Sequence, residues 1–174
     1  SINAEGNMIL VGLPFWHPTI APKQKGSVNA YRYNPITDKW DWWHTPSSSE
    51  ITDHRPYQRV GWSVAYNASG NIAVVGEPKK DNYNQKGRVT AWLQTLKINS
   101  GVLQPNWTPL GEDILGPGPS KRRALFGYSV DTNAKGNIVA IGLPNIDPST
   151  GSNIPPTVNE GRVMIYQLNM DNTR

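Results

Sequence analysis

Short runs of apolar, β-branched and aromatic residues alternate along this chain with segments rich in glycine, asparagine and proline. Runs of this kind, closed at each end by turn-forming residues, predict β-strands. No stretch of useful length shows the periodicity of an amphipathic helix. The 16 glycines and 15 prolines are spread over the chain and indicate many turns between short elements. The pattern therefore predicts an all-β protein.

The same strand pattern occurs three times along the chain. Three nine-residue segments have closely similar sequences, and each follows an Asn-Ala-x tripeptide; they are Gly6–Pro14, Gly70–Pro78 and Gly136–Pro144. Their first residues are 64 and then 66 positions apart. A regular period of this length indicates a repeat architecture. We divide the single domain, residues 1–174, into periods of about 1–64, 65–130 and a partial 131–174.

Further shared blocks accompany the nine-residue segment. A Gly-x-Val block occurs in all three periods, at Gly26–Tyr31, Gly87–Trp92 and Gly161–Tyr166. A Gly-x-Ser-Val block occurs twice, at Gly61–Val64 and Gly127–Val130, and a tryptophan block at Trp107–Ile114 has a weaker counterpart at Trp43–Ile51. The Ile138–Ile141 run is apolar throughout, as expected of a strand buried on both faces. The Asn-Ala-x-Gly-Asn segment is typical of a tight hairpin turn, because Asn and Gly tolerate positive φ. We therefore expect a β-propeller segment of about three four-stranded antiparallel blades.

At these blocks the chain resembles a known family. The segments Phe126–Val130, Ile138–Pro144 and Gly161–Tyr166 resemble the FG-GAP repeat of integrin α-subunit propellers. They are more similar still to the FG-GAP-like repeats of surface and secreted proteins. The resemblance implies a non-enzymatic β-propeller, extracellular or on a cell or particle surface. Its expected role is adhesion or assembly, with protein or glycan partners bound through loops.

Two features depart from the family pattern. The alanine of Gly-Ala-Pro is replaced by Leu13, Glu77 and Leu143. Calcium-binding members carry an Asp-rich loop before this strand, whereas residues 67–71 and 133–137 contain no carboxylate. Calcium sites need several hard oxygen ligands, typically acidic. We therefore predict no calcium at these loops and no metal or other cofactor.

Both ends of the chain fall within a blade when the repeats are aligned. Ser1 aligns with Ala65, and Arg174 aligns with Lys39, so the third period lacks the segment equivalent to residues 40–64. Propellers close with about 4–8 blades, and open sheet edges promote aggregation. The remaining blades of the same propeller are therefore expected partners. The chain is either an incomplete ring, as a fragment of a larger propeller, or a half-ring that closes by forming a homo-oligomer.

Charge and reactive residues argue against several other functions. The net charge is +4, and its densest cluster, residues 121–123, lies in a Pro/Gly-rich segment typical of a solvated loop, which argues against nucleic-acid binding. No apolar run reaches the roughly 20 residues of a membrane-spanning helix, so we predict no membrane insertion. Cysteine is absent, and His17, His44 and His54 lack metal-ligand spacing. The chain is therefore predicted not to be an enzyme, although an accessory propeller attached to one is an alternative.

Candidate binding residues lie where the repeats diverge. The loops after Gly-x-Pro differ in length and sequence, and the first contains Trp16 and His17. Loops on a rigid scaffold often carry recognition. Glu77 stands where two repeats have leucine, so it either faces a ligand or pairs with a neighbouring lysine, Lys79 or Lys80.

Tryptophans are concentrated between positions 40 and 43. We expect Trp43 to correspond to Trp107 and to pack between blades, which leaves Trp40 and Trp42 as binding candidates. Exposed tryptophans stack on sugar rings or form protein hot spots. A lectin-like, glycan-binding propeller is therefore an alternative function.

Two Asn-x-Ser/Thr sequons are candidate glycosylation sites. Asn67 occupies the repeated turn position, where Asn3 and Asn133 occur without a sequon, so turn geometry explains its presence. Asn106 has no such explanation and is the better candidate in a secreted protein.

Overall fold

The computed structural model describes residues 1–16, 26–43, 59–78, 87–117, 125–144 and 161–168. Within these ranges the chain is all-β, as predicted: it contains no helix, and its sheets are antiparallel. No helix able to cross a membrane occurs there. The strands are β1 (Met8–Leu13), β2 (Ser27–Asn34), β3 (Lys39–Trp42), β4 (Ser63–Tyr66), β5 (Ile72–Glu77), β6 (Arg88–Asn99), β7 (Val102–Pro109), β8 (Ile114–Leu115), β9 (Ser129–Thr132), β10 (Ile138–Leu143) and β11 (Arg162–Gln167).

The strands form three sheets of three, five and three strands, whereas four were expected in each. Each sheet corresponds to one copy of the repeat, but shifted from our periods by a few residues, because β4 and β9 begin at Ser63 and Ser129, before the period ends at about 64 and 130. The first sheet has the order β1-β2-β3, the second β4-β5-β6-β7 with β8 also paired to β6, and the third β9-β10-β11. Pairing follows one register in all three: Gly12 lies opposite Val28, Gly76 opposite Val89, and Gly142 opposite Val163. Equivalent residues can therefore be compared directly between sheets.

The repeated asparagine closes the first hairpin of each repeat. The Asn67 Oδ1 atom accepts a hydrogen bond of 3.0 Å from the backbone N–H of Ile72, and Asn133 accepts one of 3.0 Å from Ile138. The glycine that follows has φ of +73° at Gly70, a left-handed conformation that favours glycine. This geometry explains why the Asn-Ala-x-Gly-Asn pattern recurs.

Consecutive sheets are joined by the same backbone contact at each of these turns. The N–H of Ala4 donates to the carbonyl of Ala68 at 3.0 Å, and the N–H of Ala68 donates to the carbonyl of Ala134 at 3.1 Å. The turns therefore form a continuous hydrogen-bonded series across the three sheets.

Apolar side chains fill the space between consecutive sheets. At the first junction, buried residues of the first sheet pack against the second; the cluster includes Leu10, Val28, Ala30, Tyr66, Val75, Trp92 and Trp107. At the second junction, Phe126 and Ile141 pack with Val74 and Val89. Because both faces of the second sheet are covered, its strand β5 is buried along its whole length.

One hairpin is longer than the sequence pattern suggested. Strands β6 and β7 continue to pair past the end of β5 and turn at Ser100 and Gly101, with φ of +49° and +80°. Two consecutive residues with positive φ are typical of a tight hairpin turn. The extension leaves Leu96, Ile98 and other apolar side chains exposed.

Candidate functional site

An aromatic row crosses all three sheets at the ends of the strands opposite the asparagine turns. Its members are Phe15, Trp62 and Tyr128. The Phe15 and Trp62 ring centroids are 6.2 Å apart in an edge-to-face arrangement, and those of Trp62 and Tyr128 are 5.4 Å apart. Phe15 and Tyr128 are exposed. The row therefore presents aromatic surface to solvent beside the Gly-x-Pro segments.

Arg59 adds a positive charge to the aromatic row. Its guanidinium carbon lies 5.1 Å from the Phe15 ring centroid and 5.3 Å from that of Trp62, within the range of cation–π attraction. The same turn recurs in the next repeat, because Leu125 also has positive φ, 53° against 57° for Arg59. The backbone is thus repeated while the side chain changes from leucine to arginine. Aromatic residues and arginine are the types most enriched in binding hot spots.

Trp16 lies next to this row, and His17 falls outside the described residues. The Trp16 side chain is exposed, while its N–H donates to the carbonyl of Leu13 and its carbonyl accepts from the N–H of Gly26, each at 3.0 Å. Our sequence reasoning missed the row itself. The signal was the aromatic residue in the second position of both Gly-x-Ser-Val blocks.

Glu77 lies inside the second sheet and forms a buried ion pair. Its carboxylate is fully buried and accepts from the Arg88 guanidinium, at 2.7 Å between Glu77 Oε2 and Arg88 Nη2 and 3.1 Å from Nε to Oε1. Arg88 Nη1 also donates to Asp113 Oδ2 at 2.7 Å. Lys79 and Lys80, the pairing partners considered from sequence, fall outside the described residues. Charged groups are rarely buried unless they are paired in this way.

The environment holds Arg88 in its charged form. Burial on its own lowers the pKa of Arg88, but Coulombic attraction and hydrogen bonds from Glu77 and Asp113 outweigh it and raise the pKa above its usual value. The geometry is that of a permanent ion pair across β5 and β6. Nothing in it directs the Glu77 carboxylate toward solvent.

Trp40 and Trp42 lie on the side of the first sheet that faces away from the second. Both are exposed, and Trp40 contacts Tyr33 with ring centroids 5.6 Å apart. The register places Trp40, opposite Tyr33, at the position of Trp107, opposite Gln94. Our expectation that Trp43 corresponds to Trp107 was therefore wrong.

Trp43 instead occupies the position of Leu110. The N–H of Trp43 donates to the carbonyl of Ala30, and the N–H of Leu110 donates to the carbonyl of Ala91, each at 2.8 Å. The misalignment arises because the β6–β7 hairpin is longer than the β2–β3 hairpin. Trp43 nevertheless packs against the apolar cluster between the first and second sheets.

The two sequon asparagines differ in their surroundings. Asn67 is buried, and its Nδ2 atom donates to Asn71 Oδ1 at 2.8 Å and to Ser69 Oγ at 3.2 Å. Asn106 is half-buried in β7, opposite Thr95. Because glycosylation needs access to the amide nitrogen, Asn106 remains the better candidate.

Over the ranges that the structure describes, no cluster of three or more His, Cys, Asp or Glu side chains has a geometry suited to a metal ion. A comparison with protein-family models finds no match to this chain. A comparison with curated proteins likewise finds no significant match.

Proposed function

We propose that the three sheets are successive blades of a β-propeller, and that the chain is a non-enzymatic assembly module whose two outer faces contact further blades. By resemblance to FG-GAP-like repeats, we propose an extracellular or surface location. The partners are repeats of the same kind, in the same polypeptide or in a second copy. Protein or glycan ligands then bind at the loops.

The observation that carries this proposal is a difference in exposure between equivalent residues. Val28 and Val89 are both 0% exposed between sheets, whereas Val163, at the same position of the third sheet, is 69% exposed. Ala30 and Ala91 are buried, whereas Ile165 is 65% exposed. The outer face of the third sheet therefore presents apolar residues at positions that an adjoining sheet covers elsewhere in the chain.

The outer face of the first sheet shows the same difference. Trp107 is 8% exposed because it packs against the preceding sheet, whereas its equivalent Trp40 is 41% exposed. Val75 is buried, and its equivalent Val11 is exposed. Contiguous exposed apolar surface on a sheet favours association with another sheet. Trp40 and Trp42 are therefore assigned to this contact surface.

We expect the chain to associate through these faces in solution. Light scattering over a range of concentrations should give a mass above the 19.3 kDa of one chain. The double variant V163E/I165E should shift the mass toward the monomer, because it buries two carboxylates in the contact. Ile36→Glu is the matched control, since Ile36 is an exposed apolar residue of the β2–β3 turn and lies on neither face.

Two results would contradict the proposed association through the outer faces. A wild-type chain that stays monomeric and soluble at every concentration shows that the outer faces need no cover. Association that survives unchanged in V163E/I165E, with circular dichroism confirming the fold, shows that the contact lies elsewhere.

A second candidate function is glycan recognition at the aromatic row. The supporting observation is the alignment of Phe15, Trp62 and Tyr128 across the three sheets beside Arg59, with Phe15 and Tyr128 exposed and Trp62 half-buried. Rings presented in this way stack on the apolar faces of sugars.

We expect saturable binding of the wild-type chain on an array of neutral oligosaccharides. The F15A/Y128A variant should bind about ten-fold more weakly, since losing hot-spot aromatics costs more than about 1 kcal/mol. Trp42→Ala is the control, because Trp42 lies on the outer face of the first sheet. A loss in the Trp42→Ala variant with full binding in F15A/Y128A would assign glycan binding to that face instead.

A further inference from the structure

A cleft opens between the first and second sheets, at the end where the asparagine turns lie. Its cavity measures about 310 Å³, at the lower end of the size range for small-molecule sites. Polar side chains dominate its lining, among them Glu5, Asn7, Arg32, Ser69, Asn71 and Gln94. A neighbouring cavity of about 220 Å³ shares Arg32 and Trp43 with it. The Arg32–Trp43 pair is therefore the common wall of two adjoining cavities.

The same place at the second junction is filled by leucines. The register makes Leu93 the equivalent of Arg32, and backbone hydrogen bonds make Leu110 the equivalent of Trp43. Leu168 is likewise the equivalent of Gln94, because each donates its N–H to the asparagine carbonyl of the preceding turn at 2.7 Å. The three leucines pack with the buried Ile72. The repeat thus needs only apolar residues here, whereas the first junction has two polar side chains, Arg32 and Gln94, beside Trp43 in the lining of one cavity.

Arg32 is positioned to bind an anion. Its guanidinium carbon lies 4.9 Å from the Trp43 ring centroid, so stacking holds the side chain in place. Asp41 lies directly opposite Arg32 in the β2–β3 register and lines the neighbouring cavity with it, but its carboxylate accepts from Asn34 Nδ2 at 2.9 Å. Among the described residues Arg32 makes no ion pair or hydrogen bond. The Glu5 carboxylate in the same cleft accepts from Asn7 Nδ2 at 2.8 Å instead. A planar guanidinium without a carboxylate partner is suited to bidentate binding of a ligand carboxylate.

The amides of the cleft supply further hydrogen-bonding groups. Asn71 Oδ1 accepts from Asn67 Nδ2 at 2.8 Å and from Ser69 Oγ at 2.6 Å, which leaves its Nδ2 atom to donate to a ligand. Gln94 offers both a donor and an acceptor, and Glu5 offers carboxylate oxygens. These groups match the hydroxyls of a sugar, which both donate and accept.

We propose that this cleft binds a pyranose that carries a carboxylate, as in a uronate or a sialate. Arg32 binds the carboxylate in a bidentate pair. Asn71, Gln94 and Glu5 bind ring hydroxyls, and the exposed part of Trp43 contacts the apolar edge of the ring. The site is separate from the aromatic row and from the outer faces, so it does not depend on the proposed assembly.

The test is calorimetric titration of the full chain with glucuronate and with N-acetylneuraminate, which distinguishes the two sources of the carboxylate. Glucose and acetate are the controls that carry only the ring or only the charge. We expect saturable binding of at least one acidic sugar, with glucose and acetate about ten-fold weaker or more. The proposal is overturned if neither acidic sugar binds saturably. It is also overturned if glucose or acetate binds as tightly as the acidic sugar.

Variants that copy the second junction identify the site. R32L and R32L/Q94L should bind the acidic sugar at least about ten-fold more weakly while remaining folded, since leucine already occupies the equivalent positions. Arg32→Lys should retain part of the affinity, because lysine keeps the positive charge but cannot form the two parallel hydrogen bonds of a guanidinium. Lys135→Ala removes one exposed positive charge from the third asparagine turn, away from this cleft, and should change nothing. Full binding by R32L overturns the assignment, whatever the association state of the chain.

Discussion

Replacing Glu77 with leucine is expected to lower the free energy of unfolding by about 3–5 kcal/mol, although leucine occupies this position in the other two repeats. Glu77 is fully buried, and its carboxylate is hydrogen-bonded to the guanidinium of Arg88, a residue that is itself only 7% exposed. Removing it leaves Arg88 buried with only Asp113, whose side chain is 40% exposed, as a partner among these three residues. An inadequately paired buried charge costs much more than a neutral substitution.

A second variant separates the effect of losing the Glu77–Arg88 ion pair from the effect of changing the packing around it. In E77L/R88M both charges are removed and similar volume is kept, so we expect most of the stability to return. The first repeat supports this expectation, because Leu13 faces Ser27 at the same register position without any charge. Urea unfolding followed by tryptophan fluorescence measures the free energy of unfolding of the wild type, E77L and E77L/R88M.

Equal stability of E77L and the wild type would show that hydration of Arg88 fully replaces the contribution of the Glu77–Arg88 ion pair. A loss in E77L/R88M as large as in E77L would place the cost in packing rather than in the charge. Since small domains have only about 5–15 kcal/mol of stability, either outcome is measurable.

The sequence was sufficient to predict the all-β fold and the division into three sheets. Each sheet corresponds to one copy of the repeat, because each copy carries its own hairpin turn and its own apolar run. The period boundaries were misplaced by a few residues, since β4 and β9 cross them and begin the second and third sheets. Asn67 shows why this works: one side chain bonds to the backbone five residues ahead, so the information is local. Local rules of this kind are visible in a single sequence.

The candidate sites depend on register and on contacts between repeats, and these were less visible. Spacing from the repeated sequence blocks aligned Trp43 with Trp107, whereas backbone hydrogen bonding aligns it with Leu110. The position of Arg32 over Trp43 follows from that register and could not be read before it was known. Likewise, sequence showed that Glu77 breaks the repeat but not that Arg88, eleven positions later, lies directly opposite it.

The glycines repeated at positions 12, 76 and 142 are explained only by the contacts between sheets. Gly76 does not have positive φ, so its backbone alone does not require glycine. A Cβ added there would lie 2.2 Å from the carbonyl oxygen of Gly127 in the next sheet. A Cβ added at Gly12 would likewise lie 1.9 Å from the carbonyl oxygen of Gly61. Glycine is therefore needed because two backbones approach too closely for any side chain.

Gly76→Ala is accordingly expected to destabilise the chain by about 3 kcal/mol or more, because the clash is with backbone that cannot rotate away. Gly142→Ala is the matched control at the same position of the third sheet. A Cβ at Gly142 meets the Ser129 hydroxyl at 2.2 Å, just as one at Gly76 meets the Ser63 hydroxyl at 2.2 Å, but it meets no neighbouring sheet. Measured at concentrations where the chain is monomeric, the difference between the two variants in urea unfolding therefore reports the contact between the second and third sheets.

Gly142 also connects this contact to the proposed assembly. If another blade covers the third sheet, its backbone approaches Gly142 as Gly127 approaches Gly76, so Gly142→Ala should leave the single chain folded and weaken its association. Light scattering of the Gly142→Ala variant at several concentrations provides the measurement. If Gly142→Ala loses as much stability as Gly76→Ala, then glycine is required by contacts within its own hairpin and not by a neighbouring sheet. Normal stability with undiminished association would mean that no blade packs on the third sheet in the way the second and third sheets pack on each other.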